Sequence, residues 1–122
     1  MRDPRWGRLL ETPGECPFLT ASYATRFIKG VQGVDPSGRG YLQAASTPKH
    51  YAGYSLDSWH GMDRYHYNAV IGKQDWADTY SQPFWAAVVG GNASGLMCSC
   101  ECRRPLALRP AADCAVTLLT LP

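Results

Sequence analysis

Stretches in which apolar side chains recur at helical spacing alternate along this chain with short runs that carry no helical period. Residues 1–19 hold three Pro, two Gly and three Arg without periodicity and read as an irregular loop. Thr20 then reads as an N-cap, and Tyr23, Phe27, Ile28 and Val31 fall at i, i+4, i+5 and i+8, one face of a helix that Gly30 or Gly33 ends. Asp35, Pro36, Ser37 and Gly38 form a turn. Residues 41–47 (YLQAAST) lack Gly and Pro and read as a strand, with Pro48, Lys49, His50 and Tyr51 at its C-terminal end. Residues 53–72 are polar and aromatic with no clean period, an excursion loop. From Lys73, the side chains of Trp76, Tyr80, Phe84 and Ala87 or Val88 repeat at helical spacing across Pro83, giving one bent helix or two short ones that Gly90 and Gly91 close. Residues 93–99 (ASGLMCS) are a compact apolar run suited to a buried strand.

The order loop, helix, strand, loop, helix, strand predicts an α/β chain of parallel βαβ units joined by right-handed crossovers. In such folds chemistry collects at the C-terminal ends of strands, here Lys49 and His50 and the residues just after Met97. From Glu101 the character changes. Arg103, Arg104 and Pro105, an alternation of Ala, Leu, Arg and Pro, and an unpatterned ending give no amphipathic helix and only a weak strand signal at 115–121. Residues 100–122 are expected to be a poorly ordered tail.

Composition narrows the function classes. With 122 residues, 45% hydrophobic and 18% charged, and a net charge of only +2, the chain is at most one domain and has no concentrated positive face for nucleic acid or membrane surfaces. No apolar run approaches the roughly 18 residues of a membrane span, and no apolar core follows the first five residues to make an export signal, so neither is expected. An aromatic content of 11% allows collapse despite 12 Gly and 9 Pro. The length is about half the ~250 residues of a closed (β/α)8 barrel.

Several clusters could carry chemistry. Paired carboxylates are available as Glu11 with Glu15, Asp57 with Asp63, and Asp75 with Asp78. Asp75 and Asp78 read as the solvated first turn of a helix and the other pairs as caps and loop ion pairs, and spacing alone selects none. Lys49 beside His50 offers a cation and a neutral donor to the hydroxyls of a polar ligand. Tyr51, Tyr54, Trp59, His60, Tyr65, His66 and Tyr67 give aromatic faces with polar tips, which suit sugar rings and ordinary loop packing alike. Cys98, Cys100 and Cys102 form C-x-C-x-C, not the C-x2-C of structural zinc sites, so no metal is expected. One disulfide, such as Cys98 with Cys114, is open, with a thiol left over because the count is five. That count is too low for a disulfide-built secreted scaffold. No G-x-x-x-x-G-K, G-x-G-x-x-G or G-x-S-x-G occurs, which removes support for nucleotide binding and the usual serine hydrolases.

Six motifs in order, RDPRWGR (2–8), ETPGE (11–15), KHY (49–51), DSWHGMDR (57–64), KQD (73–75) and MCS (97–99), resemble the N-terminal barrel domain of glycoside hydrolase family 3, most nearly its β-xylosidase branch. The resemblance covers residues 1 to 99 and implies a partial (β/α)8 barrel with alternating helices and parallel strands. It implies a retaining exo-glycosidase acting on the non-reducing end of β-linked xylo- or gluco-oligosaccharides through a covalent glycosyl-enzyme, with an Asp nucleophile, an acid/base Glu and no cofactor. Carried over by motif, Arg8, Lys49, His50 and Met97 match positions that line the family's sugar subsite. Arg8 and Lys49 would donate to hydroxyls, His50 would donate or accept, and Met97 would give apolar contact.

The departures are local. Cys16 stands where the family has Asp, and Cys100 and Glu101 stand where it continues Tyr-Asn after MCS. The abrupt loss of likeness there fits a shifted reading frame or a mispredicted exon. Neither the nucleophile nor the acid/base Glu has a counterpart in this chain, so no catalytic residue is assigned and the chain alone is expected to be inactive. Open sheet edges lead us to expect low stability and aggregation. Family members are commonly secreted, and the sequence leaves the compartment open. The alternative reading is a non-catalytic carbohydrate-binding or regulatory module built on the aromatic segment 51–67.

Overall fold

A computed structural model describes residues 3, 4, 6–33, 40–66, 69–99 and 116–117. The predicted turn at 35–38, Tyr67, and Cys100, Cys102 and Cys114 lie outside the described residues, as does all of the segment 100–122 except 116–117. A 3-10 turn, Leu9–Glu11, precedes helix α1, Pro17–Gln32. Strand β1, Lys49–Tyr51, follows, then a short hairpin of β2, Ser58–Trp59, and β3, Met62–Asp63. Helix α2 runs over 73–90, and β4, Leu96–Cys98, and β5, Val116–Thr117, complete the order. β4 lies between β1, its parallel neighbour, and β5, its antiparallel one. The β1–α2–β4 unit is therefore the parallel βαβ element predicted from the alternation of helix and strand.

Helix α1 starts earlier than Thr20. Pro17 occupies its first turn, where the missing N–H costs nothing and φ is already set, and Cys16 is the N-cap. Thr20 instead donates from Oγ1 to the Gly14 carbonyl at 3.3 Å. The buried stripe is also rotated from the predicted one. Tyr23 and Phe27 stack at 5.7 Å on the outside, while Ala24, Ile28 and Gln32, at i, i+4 and i+8, face inward.

α2 is one continuous helix in four segments: Lys73–Asp75, a wide turn Trp76–Tyr80, Ser81–Trp85, and a second wide turn Ala86–Gly90. In the wide turns bonds run from i+5 to i, as from the Ser81 N–H to the Trp76 carbonyl and from the Gly91 N–H to the Ala86 carbonyl at 2.9 Å. The first wide turn lies just before Pro83, whose ring would collide with the Thr79 carbonyl in a regular α turn. α1 crosses α2 closely because the contact residues are small. A Cβ on Gly91 would stand 2.7 Å from the Ala87 carbonyl and 3.2 Å from Ile28. The core there is Ile28, Ala87 and Ala93, with Ala24 packed against them.

The strand predicted at 41–47 is not formed; only Leu42 makes an isolated bridge, and the strand is Lys49–Tyr51 itself. Lys49 and His50 thus lie within β1 and not beyond its end. Residues 42–47 have other work. The Gln43 N–H caps α1 at the Gln32 and Gly33 carbonyls, at 3.2 and 3.0 Å. The Ser46 N–H reaches the Gln32 Oε1 at 3.1 Å. That oxygen also accepts from the Ser94 N–H at 2.9 Å and the Ser94 hydroxyl at 2.7 Å. The Gln32 Nε2 donates to the Asn92 carbonyl at 2.7 Å. Gln32, 4% exposed, therefore ties the end of α1 to the segments that lead into both parallel strands.

The excursion loop carries the β2–β3 hairpin, joined by His60 and Gly61 at φ 48° and 79°, the positive pair that a two-residue type I′ turn requires. The Lys49–His50 and Tyr51–Ala52 peptide bonds are cis.

Replacing the Gln32 carboxamide with the similarly sized Leu leaves the part-buried Ser46 N–H and Ser94 hydroxyl without their acceptor. The expected loss of stability in urea unfolding of Gln32→Leu is about 1–3 kcal/mol. An unchanged midpoint would show that these bonds carry no weight.

Candidate functional site

The 3-10 turn is what brings the first two groups together. Three residues per turn eclipse positions i and i+3, so Arg8 and Glu11 project side by side. The Thr12 hydroxyl closes the turn on the Leu9 carbonyl at 2.9 Å. Arg8 grips Glu11 with two parallel bonds, Nε to Oε1 at 2.5 Å and Nη2 to Oε2 at 2.8 Å. β1 supplies the third group, since Lys49 Nζ lies 2.8 Å from the same Oε2. One carboxylate thus holds two cations from segments far apart in sequence. Arg8 first and Lys49 second pull its titration down to about 2, from an ordinary 4.5.

His50 follows Lys49 and is half-buried, its ring edge-on to Tyr54 at 5.1 Å and 82°. Burial, and then the positive charges of Arg8 and Lys49, hold its pKa below the ordinary 6.5. At neutral pH the imidazole is therefore uncharged, with one donor and one acceptor nitrogen. Met97 is the register partner of Lys49 in the parallel ladder and is half-buried on β4. Of the four residues singled out from sequence, Arg8, Lys49 and His50 are joined through Glu11 and Tyr54, and Met97 is set beside Lys49 by the backbone register.

Tyr54 takes the second of the two uses its sequence left open, a ring packed within the loop, and is 7% exposed. The Arg8 guanidinium covers its face at 5.3 Å, and Trp6 meets it edge-on at 5.3 Å. Its hydroxyl donates to Asp57 Oδ1 and accepts from Arg64 Nη1 at 3.1 Å, and Arg64 also pairs with Asp57 at 3.5 Å. Trp6 was legible only as part of the RDPRWGR motif, and the opposite charges of Asp57 and Arg64, flanking the hairpin, were the available hint for that pair. Asp63 accepts from the Tyr65 and His66 amides and pairs with the exposed His66 ring at 2.7 Å, the loop role expected of it.

Among the described residues Cys16 and Cys98 are free thiols, and the Cys98–Cys114 pairing left open by the sequence falls on a residue outside them. Among the described residues no three His, Cys, Asp or Glu gather as metal ligands, and no helix is long and apolar enough to cross a membrane. A hollow of about 450 Å³ opens elsewhere, between α2 and the sheet, with mostly apolar walls that include Tyr51, Phe84, Trp85 and Leu96. It touches none of Arg8, Lys49 and His50.

No family model matches the chain. Curated relatives and solved structures do. The chain is 48% identical over 98 residues to β-xylosidase/α-L-arabinofuranosidase 2 of Medicago sativa subsp. varia. It is also 48% identical over 99 residues to β-D-xylosidase 1 of Arabidopsis thaliana. It superposes with a TM-score of 0.73 and 40% identity on a family 3 exo-β-xylosidase solved with a xylobiose aziridine probe, over 81% of this chain. The chain belongs to glycoside hydrolase family 3. It spans 80% of its own length in the first match and only 13% of that relative, and the structural match likewise covers 13% of its partner. As a family 3 chain it is a partial (β/α)8 domain of the β-xylosidase-like branch, and β1, α2 and β4 are one of its repeating units.

The Glu11 pairing fixes a sign for pH. A carboxyl that titrates near 2 in the folded chain and at 4.5 when free contributes its pairing in full above 4.5 and loses it as the pH falls through about 2. Carboxyl 13C shifts should show Glu11 titrating near 2; a midpoint at the ordinary value would mean that the two cations do not hold it.

Proposed function

We propose that this chain carries one hydroxyl-binding subsite of a retaining exo-glycosidase that acts on the non-reducing end of β-linked xylo- or gluco-oligosaccharides. The observation that supports this most is the meeting of Arg8 and Lys49 on one carboxylate, with a neutral His50 next in the strand against Tyr54. Lys49 spends one of its three donors on Glu11 and keeps the others for a ligand. Glu11 balances one of the two cations and fixes both as directed donors, an arrangement that suits a hydroxyl-rich ring. His50 can donate to one hydroxyl or accept from another, and Met97 offers apolar contact to a C–H face. The names of the relatives, β-xylosidases of plants among them, point to xylose as the ring.

In this reading residues 1–99 are the family portion and 100–122 lie outside it. Retaining hydrolysis requires a nucleophilic carboxylate and an acid/base carboxyl about 5 Å apart. Glu11 is committed to Arg8 and Lys49, and Asp57 to Tyr54 and Arg64, so neither is available as attacking group. The 122-residue polypeptide therefore binds without cleaving.

Titration with xylobiose, followed by tryptophan fluorescence, should give a saturable change that Lys49→Ala weakens at least about tenfold, the loss of one charge-assisted hydrogen bond. The same protein should release no nitrophenolate from a nitrophenyl β-xyloside. Absence of saturation in the unaltered chain sinks the binding claim, and turnover that survives removal of contaminants sinks the second.

A further inference from the structure

We propose that Tyr54 is a positioning residue of this site, which sets the directions of Arg8 and His50 from beneath and never touches the sugar. The inference rests on reading Arg8, Lys49 and His50 as a hydroxyl-binding cluster and adds what holds two of them in line. Three groups converge on the one ring. The Arg8 guanidinium lies over it at 5.3 Å; His50 and Trp6 meet it edge-on at 5.1 and 5.3 Å. Cation over ring face and ring edge against ring are both attractive arrangements, so each contact favours one orientation of its partner.

The hydroxyl is fixed from the other side. It donates to Asp57 and accepts from Arg64, and these two residues flank the hairpin, closed by the Arg64 N–H on the Asp57 carbonyl at 2.9 Å. Tyr54 therefore couples the hairpin loop to the sugar cluster. With 7% of its surface exposed it has no face left for a ligand. Lys49 stands apart from this arrangement, because its partner is Glu11. That separation gives the role a signature: loss of Tyr54 should disturb Arg8 and His50 while the Lys49–Glu11 pair persists, whereas general loss of folding disturbs all four.

The test uses NMR on the whole 122-residue chain. The unaltered protein should show cross-relaxation from the Tyr54 ring protons to both the His50 ring and the Arg8 side chain. The charged groups around His50 are Arg8, Lys49, Glu11 and Arg64. Tyr54→Phe keeps the ring, so His50 should titrate as before, the Arg64 signals should move, and xylobiose should bind roughly threefold more weakly. Tyr54→Leu removes the ring, so His50 should titrate closer to its ordinary 6.5. Xylobiose should then bind at least about tenfold more weakly, the scale on which outer partners of a binding residue act, while the persisting Lys49 pair keeps Glu11 titrating below its ordinary 4.5.

An unmoved His50 in Tyr54→Leu, or equal xylobiose affinity in both variants, overturns the proposal. If Tyr54→Leu does not fold, missing cross-relaxation in the unaltered chain or undiminished xylobiose affinity in Tyr54→Phe overturns it instead. A chain that binds no xylobiose at all defeats the sugar reading and with it the site that Tyr54 would serve. Cross-relaxation and the His50 titration then still tell whether the ring holds the two side chains.

Discussion

The arrangement of this chain depends on one buried carboxamide. Gln32 ends α1, and its single side chain receives or gives bonds to Ser46, Asn92 and Ser94, which stand just ahead of the two parallel strands. A backbone donor sealed from water without a partner costs about 1–3 kcal/mol, and the amide supplies the acceptor of the part-buried Ser46 N–H. The Ser94 N–H also reaches the Ser46 carbonyl at 3.1 Å, so the two approaching segments are held to each other as well as to the helix. Their spacing sets the β1–β4 register, and that register brings Met97 alongside Lys49. A polar contact just ahead of the two strands thus bears on which side chains meet within them.

Where Lys49 meets Arg8 and Glu11 the governing effect is charge balance. Two cations forced together without Glu11 would repel each other and attract any passing anion. With the carboxylate between them they become directed donors whose positions are fixed by short bonds. His50 experiences the remaining positive charge together with partial burial, and both disfavour its protonation. The site therefore combines charged donors with a neutral ring that can act in either direction, a combination matched to hydroxyls, which both donate and accept.

What could be seen in the sequence follows from what each residue type reveals by itself. The spacing of Trp76, Tyr80 and Phe84 outlined α2, and Pro83 announced its irregularity, because large apolar residues and a missing N–H leave marks in any context. The inward face of α1 was read wrongly because its stripe consists of Ala24, Ile28 and Gln32. A hydrophobicity pattern discounts a small residue and rejects an amide, while the large rings of Tyr23 and Phe27 drew attention to the outer face. Residues 41–47 looked like a strand for lack of Gly and Pro, but their bonds go to the end of α1, a partner that no local pattern can name. The Arg8–Glu11 pair was legible only as part of a familiar motif, and the link to Lys49 needed the fold. Tyr54 was left open between a ligand face and loop packing, since burial under Arg8 is a property of the assembled loop.

The distribution of apolar surface explains why polar contacts carry so much of this organisation. Among the described residues four hydrophobic side chains are buried, and three of those, Ile28, Ala87 and Ala93, form the helix contact. Many larger ones face outward: Phe18, Tyr23 and Phe27 on α1, and Trp85 and Val89 on α2. Tyr23 with Phe27, and Trp85 with Val89 where they line the hollow beside the sheet, are i, i+4 pairs that form exposed stripes. Burial of apolar area is worth about 25 cal/mol per Å², so these stripes represent driving force not used within the described residues. A closed (β/α)8 domain covers such faces with neighbouring units and leaves no strand unpaired. In a single unit, uniqueness has to come from directional groups. The carboxamide of Gln32, the carboxylate of Glu11 and the phenol of Tyr54 each specify several partners at once, and a hydrophobic contact specifies none.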